Sequence, residues 1–431
     1  MAAININDWN DKEMRKEVYY GLHNNLLSEV SIPSNQLVDN YYVFSNKIKN
    51  RNKVSNQGSS GRCWMFAGLN VIRHKFIEDL KLGNSFEFSE NYLLFWDKFE
   101  RINYFLNVYQ ELHGKNIELN SQLFQHLLNN PLEDGGQWQM FVNLVNKYGL
   151  VPKTIFPETK HSSNTRGLNM VLTRKLRDYC KQITEDKLDR QNAMEEVYTL
   201  LVKFLGKPPN KFTWEYYDKD NKYHKQVDIT PQDYYHKINI NLDNYVSITN
   251  DPRNEYHKNY GVEYLNNIIE GGEVKYLNLE MDEIKGIVKK SINDNNPVWF
   301  GSDVGHYMHS KTHILSKDVF DIENYLDIEF KLTKKDRIEL GDSLMTHAMC
   351  ITGYNIDNYG VTNRWEIENS WGNGVNEGYY VMSDKWMNEF VYQVIVEKKY
   401  LGNKLLEEWD QEIKSRFNPW DPMGSLAVKE N

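Results

Sequence analysis

Cysteine is scarce in this chain. There are three in 431 residues, Cys63, Cys180 and Cys350, and no two form a Cys-x-x-Cys pair. Three thiols exclude a disulfide framework and suit a reducing compartment, which points to the cytoplasm. Proline is sparse, at 11, and no Gly/Ser run occurs, so flexible linkers have little place. No stretch approaches the roughly eighteen apolar residues of a membrane-spanning helix. The opening residues, MAAININDWNDKEMRKEVYY, hold acids and no apolar core, unlike a secretory signal. Basic residues are not in excess: 51 Lys and Arg stand against 60 Asp and Glu, a net charge of −9. Such a balance gives no general attraction for a phosphate backbone. Neither a fixed-period repeat nor a low-complexity tract is present.

What the chain does contain is core-forming material. Hydrophobic residues make up 40% and charged residues 26%, as in a folded globular protein, and 28 Tyr and 11 Trp suit packed cores and interfaces. The length provides for two or three domains. An N-terminal arm, 1–50, carries one helix around Asp11 to Leu27. Helical spacing is strong from Cys63 to Leu80, where Phe66, Ala67, Val71, Ile72, Phe76, Ile77 and Leu80 recur at intervals of three and four. It dominates again over 89–148 and 167–205. From Lys211 the pattern alternates, with a polar turn at 218–222 that predicts a hairpin. Strands are expected at 245–249, 274–279 and 297–301, with a helix at 281–292 before the last. Further strands are expected at 348–354, 364–369 and 378–382. A helical part followed by a strand-rich part predicts an α+β fold with segregated lobes.

The chemistry starts at Gln57-Gly-Ser-Ser-Gly-Arg-Cys63-Trp64. Here a thiol sits where a Gly/Ser-rich loop enters a long helix. Unpaired N–H groups and about half a positive charge at a helix N-terminus favour thiolate over thiol. The plainer reading of a free cysteine is a small buried hydrophobe, and it holds for Cys180 and Cys350. A thiol nucleophile requires a base. Most of the 12 histidines, such as His161 and His224, lie in polar surroundings; His347 instead opens an apolar strand. Asn369 follows at the end of a later strand, where its amide oxygen can accept from the imidazole, and Trp371 can shield that bond. Each piece alone has an ordinary structural explanation. The order Gln, Cys, His, Asn is far less expected by accident.

These residues resemble the papain-like cysteine peptidases, and within them the bleomycin hydrolase and aminopeptidase C branch. Gln57 six residues before Cys63-Trp64, Thr346-His347-Ala348 and Asn369-Ser370-Trp371-Gly372 match the general motifs. Asp134-Gly135-Gly136-Gln137-Trp138, Pro297 to Val304 and Trp420-Asp-Pro-Met-Gly424 match the branch. The likeness runs from about Val54 to Leu426. Two departures stand out. Secreted relatives bridge two cysteines where this chain has Ser60 and Glu133, and Arg62 replaces a small residue, adding a fixed charge beside the thiol.

The resemblance implies a two-lobed papain-like fold with large insertions. A helical lobe, 51–166, carries Cys63, and a strand-rich lobe, 271–410, carries His347 and Asn369. An insertion, 167–270, supplies helices and an oligomerisation hook, for which the tyrosines suit either an interface or internal packing. The tail, 411–431, leaves a helix at Trp409 to Phe417 as an extended strand entering the cleft, where its terminal carboxylate would pair with a substrate's free amine. The resemblance further implies catalytic Cys63, His347 and Asn369, with the first two resting as a thiolate–imidazolium pair. It implies Gln57 in the oxyanion hole, Trp371 over the imidazole, and substrate backbone on Gly135 and Gly136. The expected function is a cytosolic cysteine aminopeptidase acting on peptides, homohexameric, without cofactor or metal. The alternatives are an endopeptidase of the same branch, a nucleic-acid-binding member, disfavoured by the charge, and a scaffold with a dead site, disfavoured by the intact set of four residues. His306, His309 and His313 are spaced for a metal, but no acidic or Cys ligand accompanies them.

Overall fold

The computed structural model describes residues 15–237 and 240–424. At its centre lies the helix Cys63–Asp79. Trp64, Met65, Phe66, Ile72 and Phe76 are wholly or almost wholly buried, and so are Asn70, Arg73 and His74. A helix enclosed on all sides must satisfy its polar residues internally. Arg73 donates to Ser55 Oγ, Asn70 Oδ1 and the carbonyls of Lys53 and Asn84, and His74 Nε2 lies 3.0 Å from Glu368. Gly68 allows the helix Trp138–Tyr148 to close in: a Cβ there would sit 2.9 Å from the Phe141 ring.

One face of this helix meets a largely antiparallel sheet, of twelve strands among the described residues. In its middle, His347–Ile356 lies between Val298–Ser302 and Thr362–Glu368, and Val391–Glu397 pairs with the far edge of Val298–Ser302. His347 is in register with Ser302 and Cys350 with Trp299. Side chains alternate between the two faces, as strand geometry dictates. Ala348 and Cys350 pack towards Cys63 and Trp64. Met349 and Ile351 pack with Phe300, Trp365 and the residues Ile284 and Val288 of the helix Met281–Asn293. Two bonds tie helix to sheet: Cys350 Sγ donates to Ala67 O, and Trp299 Nε1 donates to Trp64 O. Helices Glu90–Gly114, Arg166–Thr184 and Arg190–Leu205 form a third core around Leu94, Leu172, Leu176 and Leu201. The fold is the expected α+β, papain-like arrangement.

The hairpin expected after Lys211 is Phe212–Tyr217 paired with Tyr223–Ile229. Two expectations shift, and one central strand is new. The N-terminal helix is Lys16–Asn24, followed by a short turn of helix at Leu27–Val30; the start expected at Asp11 lies outside the described residues. The central strand Val391–Glu397 was not anticipated, because a short apolar run after a helix has no diagnostic period. The helix expected at Trp409–Phe417 is instead Asn403–Asp410, then a strand Ser415–Phe417. Asn259 explains the stop: its amide donates to the carbonyls of Glu408, Trp409 and Gln411, which a longer helix would have used itself. Phe417 then stacks on Tyr260 at 5.4 Å.

Candidate active site

Cys63 is the first residue of its helix, and its side chain is only 1% exposed. The backbone N–H groups of Cys63, Trp64 and Ala348 point at its sulfur. Ala348 follows His347 on the strand, so docking helix on sheet brings the thiol against the residue next to His347. His347 Nε2 donates to Asn369 Oδ1 at 2.8 Å. An amide oxygen only accepts, so Nε2 carries the proton and Nδ1 is left as the basic nitrogen. Trp371 lies beside the imidazole with ring centroids 4.7 Å apart and is 37% exposed.

Gln57 joins from the loop before the helix. Its backbone N–H donates to Ser370 O, its Oε1 accepts from Ser370 Oγ at 2.6 Å, and its Nε2 donates to Ser60 O at 2.7 Å. The Ser60 carbonyl, which can only accept, fixes which end of the amide is nitrogen, and one Nε2 hydrogen remains beyond that bond. Ser370 was visible in the sequence only as a motif letter; its role needs the fold, which sets it against Gln57.

Gly135 and Gly136 lie close by. A Cβ on Gly136 would fall 2.5 Å from the Trp64 indole, so only glycine fits. The Gly135 carbonyl already accepts from Arg101, which leaves it less free for a substrate than expected. Asp134 ties this strip to the nucleophile loop. It accepts from Lys98 Nζ at 2.7 Å, from Thr165, from Asn169, and from the N–H of Gly61. Burial works against its charge, but Lys98 and these donors hold it well below the ordinary carboxylate range.

The electrostatics depart from the expectation of a lowered thiol. Burial pushes Cys63 up to about 12, against the N–H groups of Ala348, Trp64 and Cys63. Burial also takes His347 down to about 4, against its bond to Asn369. The helix terminus supplies about half a charge, less than full desolvation removes. Each charge alone is therefore disfavoured. Moving the proton from Sγ to Nδ1 would create both charges together, so that each compensates part of the other's desolvation. Arg62 adds no free charge beside the thiol, because Glu158 neutralises it in a bidentate pair.

The tail passes near this cleft. Arg253 holds Asp421 through Nη1 at 3.2 Å and Nη2 at 2.9 Å, while pairing with Asp251. Met423 is 7% exposed, packed by Leu344, Met345 and Tyr392, and Tyr276 donates to its carbonyl. Residues 422–424 make one 3-10 turn rather than a strand. Pro419 to Pro422 and Gly424 wall a cavity of about 470 Å³ that also touches Arg101, Glu133 and Met140. The end of the tail, 425–431, where the pairing carboxylate was expected, lies outside the described residues.

The three spaced histidines face separate partners. His306 bonds Asp342 O, His309 bonds Thr312, and His313 stacks on Tyr380. Among the described residues no group of three or more His, Cys, Asp and Glu is arranged to hold a metal, and no helix is long and apolar enough to cross a membrane.

Comparison with known proteins bears on this geometry. Residues 4–424 match the Peptidase C1-like family. The chain is 43% identical to an Aminopeptidase C of Listeria monocytogenes over 397 residues, 90% of this chain and 89% of that protein. It is 39% identical to the bleomycin hydrolase of Homo sapiens over 406 residues, again 90% and 89%. The crystal structure of PepW from Lactobacillus rhamnosis superposes with a TM-score of 0.91 at 39% identity, covering 96% of this chain and 95% of that one.

Proposed function

Because this chain belongs to the Peptidase C1-like family and is a cysteine-type aminopeptidase, we propose that it removes residues from the free N-termini of peptides through an acyl-enzyme on Cys63. The observation that carries this reading is that Cys63 packs against Ala348, next to the His347–Asn369 pair, while the Gln57 amide is bonded to Ser370, next to Asn369. His347 Nδ1 takes the Sγ proton as sulfur attacks the peptide carbonyl carbon. The oxyanion is met by the Cys63 N–H and the free Nε2 hydrogen of Gln57, donors set in place before the charge develops. His347 then gives its proton to the leaving amine, and the C–N bond breaks. Water, deprotonated by His347, cleaves the thioester and restores the thiol. Asn369 keeps the imidazole in the tautomer this requires. No cofactor or metal enters the scheme.

The restriction to N-termini rests on the segment 418–424. Clasped by Arg253, it lines the cavity beside Gly135, where residues upstream of the scissile bond would run. We place the work in the cytoplasm, in keeping with three unpaired thiols and with Ser60 and Glu133 where secreted relatives are bridged. A homo-oligomer, hexameric by family resemblance, would draw on the exposed Tyr217, Tyr223 and Val227 of the hairpin. Mass spectrometry of a panel of free and N-acetylated peptides tests the central reading. Stepwise loss from free N-termini with N-acetylated peptides intact is expected. Internal cleavage of both at equal rates would replace it with an endopeptidase.

A further inference from the structure

Arg62 is 0% exposed, and it immediately precedes the nucleophile. A guanidinium so placed must find partners for its donors. Two go to the carboxylate of Glu158, Nη1 to Oε1 at 2.9 Å and Nη2 to Oε2 at 2.8 Å. Nε donates to Ser60 Oγ at 2.9 Å, and Ser60 Oγ in turn donates to Gln57 O at 2.7 Å. The Ser60 carbonyl accepts from Gln57 Nε2. Arg62, Ser60 and Gln57 therefore form a closed set, in which both the carbonyl and the side-chain amide of Gln57 are referred to the position of one guanidinium.

That guanidinium is fixed from outside the loop. Burial works against the Glu158 charge, but the Arg62 guanidinium outweighs it and holds the carboxyl below the usual carboxylate range. Ser162 Oγ donates to Glu158 Oε2 at 2.7 Å. A second anchor runs alongside, from Ser59 N to Ser163 O at 2.8 Å. The loop 57–62 is thus moored to 158–165, the segment leading into the helix Arg166–Thr184. The mooring acts at Ser60, through the Arg62 Nε bond to its hydroxyl.

We propose that Arg62 and Glu158 are positioning residues for the Gln57 oxyanion donor, an ion pair that holds the donor loop in place by charge and geometry. The proposal deepens the reading above and rests on Gln57 serving as a donor. A bidentate guanidinium–carboxylate pair fixes direction as well as distance. A displacement of about 1 Å at a site of developing charge can cost on the order of 10²-fold in rate.

The test is a double-mutant cycle between Glu158→Gln and Gln57→Ala, read as kcat, KM and the rate of Cys63 alkylation by iodoacetamide. Glu158→Gln keeps the shape and one acceptor but removes the charge. Expected are a fall in kcat of roughly 10- to 10²-fold, little change in KM, an alkylation rate near that of the unmodified protein, and almost no further loss when added to Gln57→Ala. If the two losses multiply in full, or Glu158→Gln keeps full kcat, the pair does not act through Gln57 and the proposal fails. A Gln57→Ala protein with undiminished kcat would overturn both the donor role and the proposal, and that outcome is separable from the first. Should Glu158→Gln not fold, Arg62→Lys, which keeps the charge and loses the fork, gives the same cycle with the same expected non-additivity.

Discussion

At the scale of single residues, reactivity here is decided by neighbours. All three cysteines are buried and all have thiols raised by burial. Cys63 packs against Ala348, the residue after His347, whose imidazole is proposed to activate it. Iodoacetamide should therefore label Cys63 first in the native protein, and Cys63→Ala should abolish peptide cleavage while Cys180→Ala keeps it. Peptide mapping of the alkylated protein checks this, and first labelling at Cys180 or Cys350 would remove Cys63 from its role. His347 sets the pH dependence. Its folded value of about 4 lies below the ordinary imidazole range, so it is neutral and able to accept a proton above that point. The kcat/KM of the free enzyme should rise through an apparent pKa near 4 and stay level across neutral pH. An acid limb near 6.5, the value of a hydrated imidazole, would show that water reaches the ring.

At the scale of elements, charged side chains staple the loops around the site. Asp134 joins the strip before Gly135 to Lys98 and to the Gly61 N–H. Its depressed folded pKa means that its contribution is present above the unfolded value near 4 and is lost as the pH falls below it. Asp134→Asn leaves the buried Lys98 ammonium without its carboxylate. It should cost ~3–5 kcal/mol at neutral pH, the range for breaking a buried pair, and the gap from the unmodified protein should narrow in acid. Chemical denaturation at several pH values reads both effects. The Arg253–Asp421 clasp is the corresponding staple for the tail. Asp421→Asn should raise cleavage of N-acetylated peptides relative to free ones, and added salt should act in the same direction by screening the pair. Unchanged selectivity in the Asp421→Asn protein would mean that the packing of Met423 alone keeps the segment in place.

At the scale of the whole molecule, the periodic elements were legible because their patterns are local. The helix from Cys63, the hairpin after Lys211 and the strands around His347 and Glu366 fall where spacing and turn residues put them. Gln57, Cys63, His347 and Asn369 could be proposed as site residues because they stand in recognisable short motifs. What was missed depends on partners distant in the chain. The end of the helix at Asp410 is set by Asn259, and the strand Val391–Glu397 by its place between two others. The sequence by itself determined the class of fold, the order of the elements and the types of group available for chemistry. Only the tertiary structure decided their state. Full burial, which comes from helix and sheet closing over Cys63, raised a thiol that its helix terminus alone would have lowered. Glu158, nearly a hundred residues away, likewise turned Arg62 from a free charge into a mooring. Desolvation and ion pairing are properties of the space around a group, and that space is built by segments that local pattern does not connect.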